Sequence, residues 1–153
     1  MSYFRVLERI AAPPERVWAL LEDWEGSAEW MVDATTVRVL GEPRRGVGTR
    51  IEAVTRIAGV PLTDRMEVVA WEEQRFITVR HHGWPIRGLA WFELRPDGAG
   101  GTWFEWAEEL DPPLGPLGEL GGRVLRRPIE RVLAKSAGKL KALAERGSSV
   151  TLR

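Results

Sequence analysis

Residues 86–113 read IRGLAWFELRPDGAGGTWFEWAEELDPP and contain two strand-like runs joined by one turn. The runs, residues 86–95 and 102–110, show the alternation of side chains that is typical of β-strands with one buried face. Residues 96–101 combine a proline, an aspartate and three glycines, a composition that favours a turn. The Asp-Pro-Pro triplet at residues 111–113 ends the second run, because proline cannot donate to a sheet. The segment therefore predicts an antiparallel hairpin.

The same strand pattern recurs upstream of this hairpin, and a helical pattern follows it. Turn residues separate the upstream runs, which indicates an antiparallel meander of about seven strands in all. The upstream runs cover residues 3–11, the segment around Val37 and Val39, and residues 49–57, 62–71 and 75–82. After residue 113, apolar residues recur every three or four positions, which predicts one long helix over residues 118–145 with Gly147 as its cap.

Two short helices are predicted between the first and second strands. Pro14 and an acidic neighbour suit the first turn of a helix whose apolar face includes Trp18, which we expect in the core. A second short helix is expected over residues 24–30. Within the long helix, the Gly121-Gly122 pair and Pro128 have two interpretations, a simple bend or break and a hinge that lets one wall of a cavity flex.

Composition limits the classes of function. The chain has 153 residues, of which 44% are hydrophobic and 29% charged, as expected for one folded domain. We assign residues 1–147 to that domain and residues 148–153 to a disordered C-terminal tail. Basic and acidic residues number 22 each, which argues against nucleic-acid binding. The sequence has no cysteine, no signal peptide and no apolar run near the roughly 18 residues of a membrane helix, so we expect a cytoplasmic protein without integral membrane association.

Several short motifs, taken in order, resemble one superfamily over almost the whole chain. The order resembles the START-like superfamily, also called SRPBCC, in its polyketide cyclase/dehydrase and coenzyme Q-binding-like branch. Each motif alone is degenerate, and their order and spacing carry the resemblance. The motifs are IAAPPERVW at residues 10–18, the segment from Asp23 to Met31, GVGTR at 46–50, FELRP at 92–96, GGT at 100–102 and LKALAE at 140–145.

The resemblance implies an α+β helix-grip fold. In this fold a curved antiparallel sheet of about seven strands wraps around a long C-terminal helix, and two short helices lie between strands 1 and 2. A deep, mostly apolar cavity lies between sheet and helix. Members bind lipids, polyketides, isoprenoids, hormones or quinones there, and some catalyse cyclisation and dehydration of polyketides. The fold thus implies where a site lies, whereas the chemistry depends on the side chains in it.

Alternation along the strands places three ionisable side chains on the inner face of the sheet. Asp64 and Glu108 share a face with the apolar residues of their strands. If Ile77 and Val79 face inward, His81 does too and His82 faces solvent; the opposite facing of the two histidines is the alternative. Burial raises the pKa of a carboxyl group and suits it to proton transfer. We therefore take Asp64, His81 and Glu108 as candidate catalytic residues. The sequence has no metal-binding or cofactor motif, so neither a metal nor a cofactor is expected.

Each of these candidates also has a purely structural interpretation. His81 would then be a histidine at the end of a strand near a loop, and each carboxylate would pair with an arginine. The arginines within reach are Arg123 and Arg126 for Glu108, and Arg50, Arg56 and Arg80 for Asp64.

Ten side chains are predicted to contact a ligand. They come from the second short helix, the inner faces of the strands, the loop after His82 and the start of the long helix: Trp30, Met66, His81, Trp84, Phe92, Phe104, Trp106, Leu117, Leu120 and Val124. A structural role in the core is the alternative for Trp30. Gly88 and Ala90 are small and would leave room for the ligand. Trp91 and Trp103 are expected near each other on the outer face, as a homodimer contact or a surface patch; reversed facing of the two strands is the alternative.

Three functions are compatible with these features. The first is binding or carriage of a hydrophobic small molecule, such as a polyketide, isoprenoid quinone or lipid, in the cavity. The second is a polyketide aromatase/cyclase or dehydratase, which needs at least two polar groups converging in the cavity. The third is action through a protein partner, which the outward tryptophans favour weakly. We take ligand binding as the leading hypothesis, because alternation cannot show convergence.

Overall fold

The chain forms one seven-stranded antiparallel sheet and one long helix. A computed structural model describes residues 1–57 and 59–150. The strands are β1 (Ser2–Ile10), β2 (Ala34–Val39), β3 (Arg50–Ile57), β4 (Val60–Glu72), β5 (Phe76–His82), β6 (Arg87–Pro96) and β7 (Thr102–Leu110). The helices are α1 (Pro14–Glu22), a 3₁₀ turn over Ser27–Glu29, and α2 (Gly115–Val150). No helix in the described part of the chain is long and apolar enough to cross a membrane.

The strand order is β1-β7-β6-β5-β4-β3-β2, so β2 to β7 form a meander and β1 completes the sheet beside β7. Irregular register between Val68 and Ala70 in β4, and between Ala34 and Thr36 in β2, marks β-bulges, which increase the local bend and twist of a sheet. The sheet is curved and holds α2 against its concave face. The predicted helix-grip fold is confirmed.

The C-terminal half of α2 closes the core. Leu133, Ala137, Leu140 and Ala144 are each at most 4% exposed, and they recur every three or four residues on one helix face. Two of them are alanines, which let the helix backbone approach the sheet closely. The N-terminal half of the same helix is largely exposed, with Val124 at 70%. The helix therefore packs tightly into the core at its C-terminal half and buries little of its own surface at its N-terminal half.

The second short helix is shorter than predicted. Only the three residues Ser27–Glu29 are helical, in a 3₁₀ turn. Asp23 explains the difference, because its carboxylate accepts a hydrogen bond from the Gly26 amide and its carbonyl accepts one from the Ser27 hydroxyl. Such local bonds from aspartate and serine compete with a regular helix.

The long helix extends beyond both predicted ends. It begins at Gly115 and continues to Val150, so Gly147 is an interior residue and not a cap. A Cβ atom at Gly147 would collide with the Arg16 guanidinium, which explains the glycine by close packing. Residues 148–150 of the predicted tail continue the helix, and residues 151–153 lie outside the described part.

The Gly121-Gly122 pair and Pro128 do not divide the helix. All three lie within the uninterrupted α2. A Cβ atom at Gly122 would collide with the Ser2 side chain, so this glycine lets the helix pass close to β1. Gly121 has open space where its Cβ would be.

Trp91 and Trp103 are not neighbours. The β6–β7 register pairs Trp91 with Ala107 and Trp103 with Arg95, so the two tryptophans stand four positions apart along the hairpin. The turn sets this register, because Pro96 pairs with Thr102. The Trp91 ring instead faces Tyr3 of β1, at a centroid distance of 6.2 Å. The prediction that the two tryptophans lie near each other was wrong, whereas Trp103 is exposed, as expected for the outer face.

The backbone conformation and close packing at Gly88 explain this glycine more directly than space for a ligand does. Its φ is +136°, and a Cβ atom there would collide with the Glu109 carbonyl oxygen of β7. We expect Gly88→Ala to lower the free energy of unfolding by about 2–4 kcal/mol, since it adds an unfavourable φ to overpacking. Gly121→Ala is the matched control and should stabilise the protein by up to about 1 kcal/mol, because alanine favours helix. Urea unfolding of both variants measures the difference, and equal effects would contradict the close-approach explanation.

Candidate functional site

A cavity lies between the concave face of the sheet and α2, and it has two adjoining compartments. The inner compartment has a volume of about 100 Å³ and the outer one about 430 Å³. They meet at Asp33, Trp106 and Glu108, which line both. The other inner lining residues are Trp24, Met31, Ala34, Val37, Ala53, Thr55, Asp64, Met66, Val79, His81, Ile86, Ala90 and Phe92. The other outer lining residues are Arg56, Leu110, Leu125, Pro128, Ile129, Val132 and Leu133.

The floor of the inner compartment carries four ionisable side chains from four parts of the chain. The register places Asp64 of β4 opposite Ala53 of β3, and Glu108 of β7 opposite Ala90 of β6. His81 lies between them on β5. The period of two along each strand turns these side chains to the concave face, as predicted. Asp33, one residue before β2, is the fourth.

His81 and Asp64 form a buried pair. The Nδ1 atom of His81 lies 2.9 Å from both carboxylate oxygens of Asp64, and both side chains are less than 9% exposed. Burial alone would lower the pKa of His81, but the hydrogen bond and charge of Asp64, with the charge of Glu108, outweigh it and raise that pKa. The Nε2 atom of His81 is buried and has no hydrogen-bond partner in the described part of the chain. One ring nitrogen is therefore committed to Asp64 while the other is available.

Glu108 lies where the two compartments meet. The indole Nε1 of Trp106 donates a hydrogen bond of 3.1 Å to its Oε1. Burial is the main cause of the raised pKa of Glu108. The charge of His81 is the largest opposing effect, the charges of Asp33 and Asp64 add to the rise, and the Trp106 hydrogen bond lowers the pKa slightly. Neither Glu108 nor Asp64 has an arginine within ion-pair distance among residues 1–57 and 59–150, and Arg126 instead pairs with Glu130. A carboxyl group in this setting tends to hold its proton and donate a hydrogen bond.

Asp33 is a site residue that the sequence analysis missed. Burial raises its pKa, and the charge of Asp64 adds to the rise. It is positioned by the backbone, since its carbonyl accepts a hydrogen bond from the Arg56 amide and the preceding Val32 amide donates to the Ser136 hydroxyl of α2. The sequence marks Asp33 only as a single acidic residue in the mostly apolar segment 30–37. Because this segment is irregular, it has no periodicity from which to infer where the Asp33 side chain points.

The α2 wall of the outer compartment is apolar and comes from residues 125–133, not from the predicted residues. Leu117, Leu120 and Val124 are 68%, 57% and 70% exposed and line neither compartment. Val124 lies nine residues before the core residue Leu133, about two and a half turns of helix, so it faces the opposite side. The three predicted residues belong to the helix that lines the cavity, but they lie on its exposed face.

The other predicted lining residues divide into three groups. Met66, His81, Phe92 and Trp106 line the cavity. Trp30 and Phe104 lie behind the lining as core residues, at most 1% exposed; Trp30 packs edge-on against Phe92 and Trp106. Trp84 is 75% exposed and lines neither compartment. Ala90 lines the inner compartment, as expected for a small residue that leaves room.

The chemistry open to the site follows from this donor set. Across the described residues, no three histidine, aspartate or glutamate side chains are grouped so that they could hold a metal ion. The cavity offers an apolar wall, a carboxyl group with a raised pKa and an imidazole with one free nitrogen. Such an arrangement can orient the polar end of a hydrophobic ligand and can exchange protons with it.

Comparison with known proteins agrees with this geometry. A family model described as polyketide cyclase / dehydrase and lipid transport matches residues 4–145. No curated protein sequence matches the chain.

Solved structures are similar over nearly their whole length. TTHA0849 from Thermus thermophilus is 19% identical, with a TM-score of 0.81 over 95% of this chain and 99% of that one. The Zhui aromatase/cyclase from Streptomyces sp. R1128 is 16% identical, with a TM-score of 0.73 over 99% and 95%. A START superfamily protein from Mycobacterium smegmatis is 14% identical, with a TM-score of 0.71 over all of both chains. At these identities the likeness shows the fold alone.

The His81–Asp64 pair makes a prediction about pH. A histidine whose folded-state pKa is raised contributes stability that is complete below its unfolded value and is lost as the pH rises through the folded value. Asp64→Asn should therefore cost about 1–2 kcal/mol more at pH 6 than at pH 9. Chemical denaturation at the two pH values measures this, and NMR titration should show the pKa of His81 falling in the variant. The exposed His82 is the internal control, and an equal loss of stability at both pH values would exclude the charged pair.

Proposed function

The chain belongs to the polyketide cyclase/dehydrase and lipid transport family, and we propose that it binds or carries one hydrophobic small molecule, a polyketide, isoprenoid quinone or lipid, in the cavity under α2. The family and the START-like fold support a hydrophobic ligand-binding or polyketide-processing role. The observation that carries the proposal is the outer compartment of about 430 Å³, with an apolar helix wall above a polar floor. Its volume lies within the range of about 300–1,000 Å³ that small-molecule sites occupy.

Affinity in this arrangement comes from burial of the ligand's apolar part. The wall residues Leu125, Ile129 and Val132 present hydrocarbon to the cavity, and each buried methylene of a ligand contributes about 0.8 kcal/mol. The polar floor orients the ligand, since one end meets Glu108 and His81 while the rest contacts α2. A single orientation requires only one or two such polar contacts.

Two valine-to-phenylalanine changes on the same helix test the location of the site. Val132→Phe adds a ring inside the outer compartment and should weaken binding of the neutral dye Nile red at least about tenfold, because it removes ligand volume. Val124→Phe places the same ring on the exposed face and should leave binding within about twofold. Fluorescence titration with Nile red measures both, and thermal unfolding verifies that each variant is folded. Equal affinities of the two variants would place the site elsewhere.

The convergence of Asp33, Asp64, His81 and Glu108 on one compartment favours a second candidate, a polyketide aromatase/cyclase or dehydratase. Cyclisation and dehydration of a polyketone both need a proton removed from carbon and a proton given to oxygen. His81, through its free Nε2, would serve as the base, and Glu108, with its raised pKa, as the acid.

This candidate is tested on the compound that the protein itself carries. Native mass spectrometry of freshly purified protein, followed by solvent extraction, identifies that compound. An enzyme should convert the returned compound with loss of water, and both His81→Gln and Glu108→Gln should slow the conversion by at least about a hundredfold, the lower range for a general acid or base. A compound that stays unchanged over prolonged incubation would support the carrier and reject the enzyme.

A further inference from the structure

We propose that the cavity selects hydrophobic ligands whose polar end is an uncharged hydrogen-bond acceptor, such as a ketone or quinone carbonyl, and rejects the carboxylates of fatty acids. This inference rests on the proposed function, because it names the chemical class of the ligand held in the same cavity.

The charges that line the cavity are mostly acidic. Three carboxyl groups, those of Asp33, Asp64 and Glu108, face one imidazole, that of His81. The imidazole is already engaged by Asp64 at 2.9 Å. The residues that α2 contributes to the wall are all apolar. Arg56 is the remaining charged lining residue, and it lies in the outer compartment with its side chain exposed, where water screens its charge.

The cavity disfavours negative charge on its own carboxyl groups. Burial is the first cause of the raised pKa of both Asp33 and Glu108, and neighbouring carboxylates add to it, while the charge of His81 offsets part of the rise at Glu108. A ligand carboxylate placed beside them would meet the same loss of hydration and the same repulsion. Such a ligand would therefore bind only by taking up a proton, either on itself or on the protein. A ketone has no such requirement.

The same compartment has hydrogen-bond capacity that the protein does not use. The indole Nε1 of Trp24 and the Nε2 of His81 are buried, belong to lining residues, and have no hydrogen-bond partner in the described part of the chain. The Trp24 indole can only donate, and the His81 nitrogen donates when the ring is protonated. A carbonyl oxygen has two lone pairs and accepts from such donors without bringing a charge. The unused groups thus match a neutral acceptor at the buried end of the ligand.

A matched pair of ligands tests the inference. Methyl undecyl ketone and dodecanoate share one alkyl chain and one carbonyl, and differ by a methyl group in place of the charged oxygen. At pH 8 the wild-type protein should bind the ketone at least about tenfold more tightly, a difference of about 1.4 kcal/mol. Isothermal titration below the critical micelle concentration of dodecanoate measures both affinities.

Variants identify the source of the selectivity. The double variant Asp33→Asn, Glu108→Gln removes two carboxyl groups at nearly constant volume and should reduce the ketone-to-dodecanoate affinity ratio to about threefold or less. Glu109→Gln, the same kind of change on the outer face of β7, should leave the ratio as in the wild type. A ratio unaltered by the double variant would overturn the assignment to these two carboxyl groups.

The outcomes separate the inference from the proposed function. Equal affinity for the two ligands, or a preference for dodecanoate, would overturn the inference and leave a hydrophobic binding protein. If the wild type binds neither ligand, the proposed function fails together with the inference.

Discussion

The structure depends on the close approach of the C-terminal half of α2 to the sheet. Ala137, Leu140 and Ala144 are completely buried there, and alanine leaves no bulk to hold the helix away. Polar contacts secure the same half, because the Ala11 amide donates to Glu145 and the Val32 amide donates to the Ser136 hydroxyl. The other half of the helix passes close to β1 at Gly122, and its residues 125–133 form one wall of the cavity. A helix packed evenly along its length would have filled that space with side chains.

The C-terminal half of α2 also places one of the ionisable groups of the site. The Ser136 hydroxyl of α2 accepts a hydrogen bond from the Val32 amide and so fixes the segment before β2 against the helix. Asp33 is the next residue in that segment. The other three groups, Asp64, His81 and Glu108, are placed by the strands, whose register is independent of the helix. The site therefore joins two parts of the fold, a sheet that supplies the polar floor and a helix that supplies the apolar wall. Burying several carboxyl groups in such a place costs stability, and natural proteins accept such costs chiefly at functional sites.

The strand part of this arrangement was predictable from the sequence, since a period of two determines which side chains share a face. Asp64, His81 and Glu108 were placed inward on that basis, and all three line the cavity. The helix wall was not predictable in the same way, because periodicity alone does not say which of two apolar faces of α2 meets the sheet. Asp33 was missed because it lies in a segment without a period. A sequence pattern describes one helix or strand at a time. It therefore predicts well which side chains of a strand share a face, and predicts poorly which face of one element packs against another.

The features that favour a carrier are the same ones that an enzyme would need, and the difference between the two lies in proton movement. A protonated Glu108 that donates a hydrogen bond to a ligand carbonyl holds that ligand, and full transfer of the proton would activate it. Whether the ligand is only held or also activated depends on the second group, His81, which would have to act as a base. His81 is held by Asp64 through Nδ1, and its buried Nε2 has no hydrogen-bond partner among the described residues, an arrangement that fixes the ring and keeps one nitrogen available. Because Asp64 also raises the pKa of His81, the ring spends more of its time protonated and acts less readily as a base near neutral pH. This balance supports the proposed carrier over the proposed enzyme at neutral pH. For the enzyme candidate, it predicts an activity that rises toward alkaline pH until Glu108 loses its proton.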